Sequence, residues 1–165
     1  MRRAALALLL GLAACGGPAP APPAGNAVDL ENAAIQRGLI RDPKDVSIAG
    51  AYARGPDRLC IVPAGAAHRI GIVIDYGEGN GCRATGSVRR DGEGLALVLG
   101  PDGGCRFTAR FDGDHLALPG ALPKACAQWC TGRAALAGAQ FARLGESVPE
   151  AHAMRDAEGH ALCGE

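Results

Sequence analysis

Aromatic residues are scarce in this chain of 165 residues: three Phe, two Tyr and the single Trp129 make up 4% of it. A core with few rings must be filled by aliphatic side chains and Ala, and a core that thin invites covalent reinforcement. Serine stands only at Ser47, Ser87 and Ser147, and no G-x-S-x-G elbow surrounds any of them, so a serine hydrolase of that kind is not expected. Net charge is missing as well. The 17 basic residues match 17 acidic ones, whereas a nucleic-acid partner calls for a strongly basic face. The apolar run at residues 4–14 falls well short of the roughly 20 residues that cross a bilayer as a helix.

That short run has a different meaning. Arg2 and Arg3 precede it, and Leu12-Ala13-Ala14-Cys15 closes it, which is the layout of a secretory signal with its basic head and uncharged core. The four closing residues resemble the lipobox of bacterial lipoprotein precursors. The resemblance implies a signal peptide over residues 1–14, cleavage before Cys15, and attachment of two or three acyl chains at Cys15, enough for a stable anchor. Gly16, where the family uses Asp to mark inner-membrane retention, implies an outer-membrane destination facing the periplasm. Loss of Arg2 and Arg3 leaves a mature charge of about −2. Residues 15–28 then form a Pro/Ala/Gly-rich tether with no core-forming side chain up to Gly25, a semi-rigid spacer that holds the next segment off a surface.

Cys15 is the odd one of seven cysteines. The other six, Cys60, Cys82, Cys105, Cys126, Cys130 and Cys163, are an even set in an exported domain and read as a disulfide framework. Six cysteines permit 15 connectivities. A metal site is the competing use, but Cys126 and Cys130 have no second pair at ligand spacing, and His68, His115, His152 and His160 are scattered; neither metal nor cofactor is expected. In a meander Cys82 and Cys105 would begin alternate strands about 10 Å apart, too far for a direct bond. Bridges from the sheet to the Cys126–Cys130 turn and to Cys163 are therefore favoured.

Periodicity predicts a mainly β fold. A helix over residues 30–40, capped by Asp29 and stopped by Gly38 and Pro43, comes first. Beyond it apolar residues alternate with polar ones: Ile70, Ile72, Ile74 and Tyr76; Cys82, Ala84, Gly86 and Val88; Leu95, Leu97 and Leu99; Cys105, Phe107, Ala109 and Phe111; Leu116 and Leu118. Gly/Asp/Asn-rich gaps at residues 77–81, 91–94, 100–104 and 112–114 supply hairpin turns; none leads into a helix as a phosphate loop would. Runs at 46–53, 58–62 and 135–144 bring the total to about eight strands, a small antiparallel meander or barrel. Residues 123–130 read as a helical turn pinned by its cysteines, with Trp129 as a core plug. The domain spans residues 29–146, and 147–165 reads as an irregular tail tied by Cys163.

Chemistry is harder to find. Asp75 with Glu78, and Asp112 with Asp114, are candidate paired carboxylates, but all flank glycine turns and read as solvated turn residues. His115 has Asp114 as a candidate partner. Arg83, Arg89, Arg106 and Arg110 point away from the core on nearby strands, with Thr85 and Thr108 among them. Such a face either protects a solvated sheet or binds an anionic envelope partner, since Arg forks suit phosphate and carboxylate. The expectation is a non-enzymatic, lipid-anchored envelope domain that meets the membrane through its lipid and binds an envelope protein or an anionic glycan or lipid. A structural or assembly accessory of the outer membrane is the alternative. The architecture is similar to that of META-like and lysozyme-inhibitor lipoproteins of proteobacterial envelopes, which implies inhibition as a third reading, although the basic face counts against a basic lysozyme.

Overall fold

The computed structural model describes residues 26–42 and 46–164. Eight antiparallel strands close into an up-and-down barrel: β1 (Gly50–Arg54), β2 (Asp57–Ala64), β3 (Ala67–Asp75), β4 (Gly81–Asp91), β5 (Gly94–Leu99), β6 (Cys105–Phe111), β7 (His115–Ala117) and β8 (Gln140–Gly145). Each strand pairs with its sequence neighbours, and β8 returns to β1, so no edge is left to recruit another strand. The β8–β1 seam depends on Gly50. A Cβ there would stand 2.2 Å from the Gly145 carbonyl oxygen, and a bulge between Ala51 and Tyr52 adjusts the register beside it.

The alternation read from the sequence sets the two faces of the wall. Ile70, Ile72 and Ile74 of β3 and Leu95, Leu97 and Leu99 of β5 join Leu59, Ile61, Leu116 and Phe141 in one buried cluster. Tyr52 and Phe111 meet there edge to face, with centroids 6.4 Å apart. Arg83, Thr85, Ser87 and Arg89 of β4, and Arg106, Thr108 and Arg110 of β6, lie exposed on the outside. Apolar inside and polar outside is the reverse of a transmembrane barrel. Among the described residues no helix is long and apolar enough to cross a membrane. Tyr76 departs from the predicted set: it lies just past the end of β3 and is 60% exposed.

Three disulfides fasten what the strands do not. Cys82–Cys130 and Cys105–Cys126 tie the starts of β4 and β6 to the long β7–β8 connection, with Cα separations of 4.0 and 4.7 Å. Within that connection, residues Lys124–Trp129 form a 3₁₀ helix, and Trp129 packs against the core. Cys60–Cys163 ties the tail to the outside of β2 across a Cα separation of 6.1 Å. The cysteines thus join sheet to turn and sheet to tail, as the strand spacing predicts.

Several boundaries differ from expectation. The first strand begins at Gly50 and not at residue 46, because the carbonyls of residues 46–48 are taken by side chains of the barrel and not by a neighbouring strand. The first helix, α1 (Asn26–Gln36), starts and ends about one turn early, so Asp29 lies inside it and does not cap it, and residues 26–28 belong to the helix and not to the tether. The eighth strand begins at Gln140 because residues 135–139 are irregular, with Leu136 and Ala139 buried in the connection. The tail is also not wholly irregular. Ser147 caps α2 (Val148–Ala153), accepting from the Glu150 N–H, and Pro149 sits in its first turn. Six residues are too few for a periodic signal. Ala151, Leu162 and Cys163 bury against Ala51, Cys60 and Val62, a second small core outside the barrel. Gly71 admits this packing; a Cβ there would meet the Leu162 carbonyl oxygen at 2.2 Å.

Candidate functional site

The order of strands gives the barrel two unlike ends. β1 begins and β8 finishes at one end, together with the β2–β3, β4–β5 and β6–β7 turns. Residues 46–48 lie across this end as a strap. Arg90 donates to the Val46 carbonyl, Arg143 to the Ser47 carbonyl, and the Tyr52 hydroxyl to the Ile48 carbonyl at 2.7 Å. Three successive carbonyls are thus held by side chains of the barrel. Arg143, whose side chain is 5% exposed, lies 5.3 Å from the centroids of both Tyr52 and Phe111 and 2.9 Å from the Glu146 carboxylate. It also donates to the Tyr52 hydroxyl at 2.9 Å. Burial pushes the Tyr52 phenol up to about 12, even though Arg143 opposes the shift. Arg41 reaches Glu146 at 2.7 Å, so the chain upstream of the strap also approaches this end.

The opposite end carries the β1–β2, β3–β4 and β5–β6 turns and the disulfide-pinned connection. A groove of about 610 Å³ opens there, between the β1–β2 turn, the β3–β4 loop, Trp129 with Thr131, and the tail loop at residues 155–158. Its walls are fastened. Asp57, nearly fully buried, accepts from the Asp75 N–H at 2.9 Å and from Arg54 at 2.7 Å. Thr131 donates to the Gly79 carbonyl at 2.7 Å. Arg83 is ion-paired with Asp156 and donates to the Ala161 carbonyl at 3.1 Å, which joins the tail to the barrel wall. The groove has room for a ligand of a few residues.

No protein-family model, curated protein or solved structure matches the chain. Its function must be argued from its own residues.

The four arginines of the candidate face are not equivalent. Arg83 holds the tail, and Arg106 donates to the Gly103 carbonyl of its own turn at 2.6 Å. Arg89 and Arg110 project from β4 and β6, which flank β5, and both are exposed. The structure therefore leaves Arg89 and Arg110 open to an anion, and Arg106 open at its terminal nitrogens, since only its Nε is engaged. The paired carboxylates prove to be turn elements. Asp75 accepts from the Gly77 N–H at 2.7 Å, and Asp112 from the Asp114 and His115 N–H groups at 3.0 and 2.6 Å. His115 pairs with Asp112 at 3.4 Å, not with Asp114. Burial works to raise the Asp112 carboxyl, but those backbone bonds and the His115 ring outweigh it and hold the group below its ordinary value.

Asp156, Glu158 and His160 bring metal-type ligand atoms within 4.8 Å of one another. However, Arg83 already occupies the Asp156 carboxylate, and the His160 N–H bonds it at 2.7 Å. The cluster builds a loop. Cys15, the expected signal peptide over residues 1–14 and the expected tether up to residue 25 lie outside the described residues. The sequence reading missed the groove, because its walls come from segments about 100 residues apart. The one local sign was Glu78 between two glycines.

Proposed function

We propose that the chain is a lipid-anchored periplasmic lipoprotein of the bacterial envelope, probing its surroundings with a non-enzymatic binding domain. Acylation at Cys15 would hold it to the outer membrane, and the Pro/Ala tether would set its distance. One observation carries the reading. The strap fastens the upstream chain to one end of the barrel, and the groove opens at the other. A membrane on the strap side leaves the groove facing away from it, toward an envelope protein or glycan. The large side chains packed in the interior, Tyr52, Phe141 and the Ile and Leu of the strands, support a site outside the barrel core. The exposed Arg89 and Arg110 offer a further contact for an anionic glycan or lipid on the outer wall.

Photo-crosslinking in cells tests this. A benzophenone amino acid replaces Tyr76 beside the groove or Leu144 near the strap end; both positions are exposed. The expected result is a discrete crosslinked partner from position 76, with none from position 144. Equal crosslinking of both positions to outer-membrane assembly complexes would favour the accessory reading instead. Inhibition of lysozyme by the purified domain would shift the reading to an inhibitor.

A further inference from the structure

Nearby opposite charges on this domain pair where they serve the fold: Arg54 with Asp57, Arg83 with Asp156, and Arg143 with Glu146. Four other charges of the groove behave differently. Arg58, Glu78, Arg155 and Glu158 all line it, and among the described residues none stands within ion-pair distance of an opposite charge. Arg58 and Arg155 bond only backbone carbonyls, those of Gly55, Asp57 and Gly159, and most of their N–H donors remain open. Asp75 lines the groove as a further carboxylate outside any ion pair, accepting from the Gly77 N–H, while Arg83 and Asp156 line it as a pair. The groove thus presents two cations and three anions that do not satisfy each other.

A second observation falls on the same lip. Glu78 has φ +53, the non-glycine residue with positive φ among those described, and glycines stand on both sides of it. A left-handed backbone is costly for a residue with a Cβ and is natural for glycine. The β3–β4 turn itself therefore gains nothing from a glutamate at this position. What the glutamate adds is a carboxylate at the rim of the groove.

We infer that the groove binds a short zwitterionic peptide, its carboxylate taken by Arg58 and Arg155 and its ammonium group by Glu78 and Glu158. Arginine forks match a carboxylate in two-point geometry, and a ligand carrying both charges complements the lining where a singly charged one meets repulsion. The volume of about 610 Å³ suits a peptide of a few residues. The inference rests on the reading of this end of the barrel as the binding end. Free oligopeptides carry both charges at their termini, and stem peptides of the cell wall, whose amino end is amide-linked to the glycan, carry the ammonium on a diamino acid side chain.

The test uses the folded mature domain and tetra-alanine with free termini. Trp129, the sole tryptophan and a lining residue, serves as the fluorescent reporter, and amide shifts map the contact. Saturable binding should shift the amides of residues 77–81 and 155–158. The N-acetylated, C-amidated peptide should bind at least about tenfold more weakly. Glu78→Gly suits the positive φ, so it should unfold no sooner than the parent while losing a similar factor in affinity; Arg155→Gln should lose affinity for the free carboxylate. Co-sedimentation with purified peptidoglycan then separates the sources: retention marks wall-bound stem peptides, and tetra-alanine binding without retention marks free peptides. Absence of tetra-alanine binding by the folded domain, or equal binding of the blocked peptide, overturns the inference. Crosslinking at position 76 reports separately: a partner captured there with no peptide affinity leaves the binding end intact and removes only the zwitterion.

Discussion

Removing the Cys60–Cys163 bridge by a double Cys→Ala replacement should separate the tail from the barrel while the barrel itself still folds. The bridge spans 103 residues, but Cys82–Cys130 lies inside that span and short-circuits it. The loop left to close is about 55 residues, for which chain entropy gives about 4 kcal/mol. A domain of this size is stable by roughly 5–15 kcal/mol, so a large share is at stake. The melting temperature should fall by about 15 °C, at roughly 4 °C per kcal/mol. Calorimetry measures the loss, and hydrogen exchange locates it. The Leu162 N–H, bonded to the Met154 carbonyl at 3.0 Å, should lose its protection ahead of the β3–β4 ladder. A fall under about 4 °C with Leu162 still protected would refute the reasoning, because burial alone would then be holding the tail.

Gly71→Ala should destabilise by about 1–3 kcal/mol in urea unfolding, since its new Cβ meets the Leu162 backbone and the bridge prevents the tail from yielding. In the bridge-free background the same substitution should cost much less; strict additivity would contradict the coupling. Arg143→Ala should cost about 2 kcal/mol by removing the charged donor to Ser47 and Tyr52, the half-exposed Glu146 being left to water. Arg143→Lys should recover only part of it for want of the planar fork. Tyr52 is raised by burial to about 12 from its ordinary value of 10. The unfolded chain therefore ionises first, and stability is intact below pH 10 and falls as pH rises to about 12, at up to about 1.4 kcal/mol per unit. Absorbance titration of a Tyr76→Phe variant should show the remaining phenol ionising with a midpoint near 12, and a midpoint near 10 in the folded protein would contradict its burial.

The strands and their up-and-down order were legible because their signals are local, whereas closure through the β8–β1 pairing was not. Ile70, Ile72 and Ile74 repeat at the strand period, and glycine turns separate the runs. Strand spacing gave the kind of bridge, sheet to turn and sheet to tail, since Cys82 and Cys105 flank β5 too far apart to bond each other; which cysteine takes which partner was not legible. Legibility failed where position depends on distant contacts. Hydrophobicity alone would turn Leu144 inward and Arg143 outward, yet Leu144 is 65% exposed and the Arg143 side chain only 5%. The strap carbonyls and two aromatic rings make that burial tolerable, and neither is adjacent in sequence. Arg83 read as a free surface cation because its partner, Asp156, stands 73 residues away. The groove was hidden for the same reason: Arg58, Glu78, Arg155 and Glu158 meet only once the tail is bridged to β2.

The proposal of a tethered binding domain depends first on Cys15. Mass spectrometry of the N-terminal peptide from the protein purified out of membranes tests it most directly, with a Cys15→Ala variant alongside. The account predicts a mature chain that begins at Cys15 and carries acyl mass on it, and a variant that is neither acylated nor cut before residue 15. A mature chain with an unmodified Cys15, or one that retains residues 1–14, would contradict it.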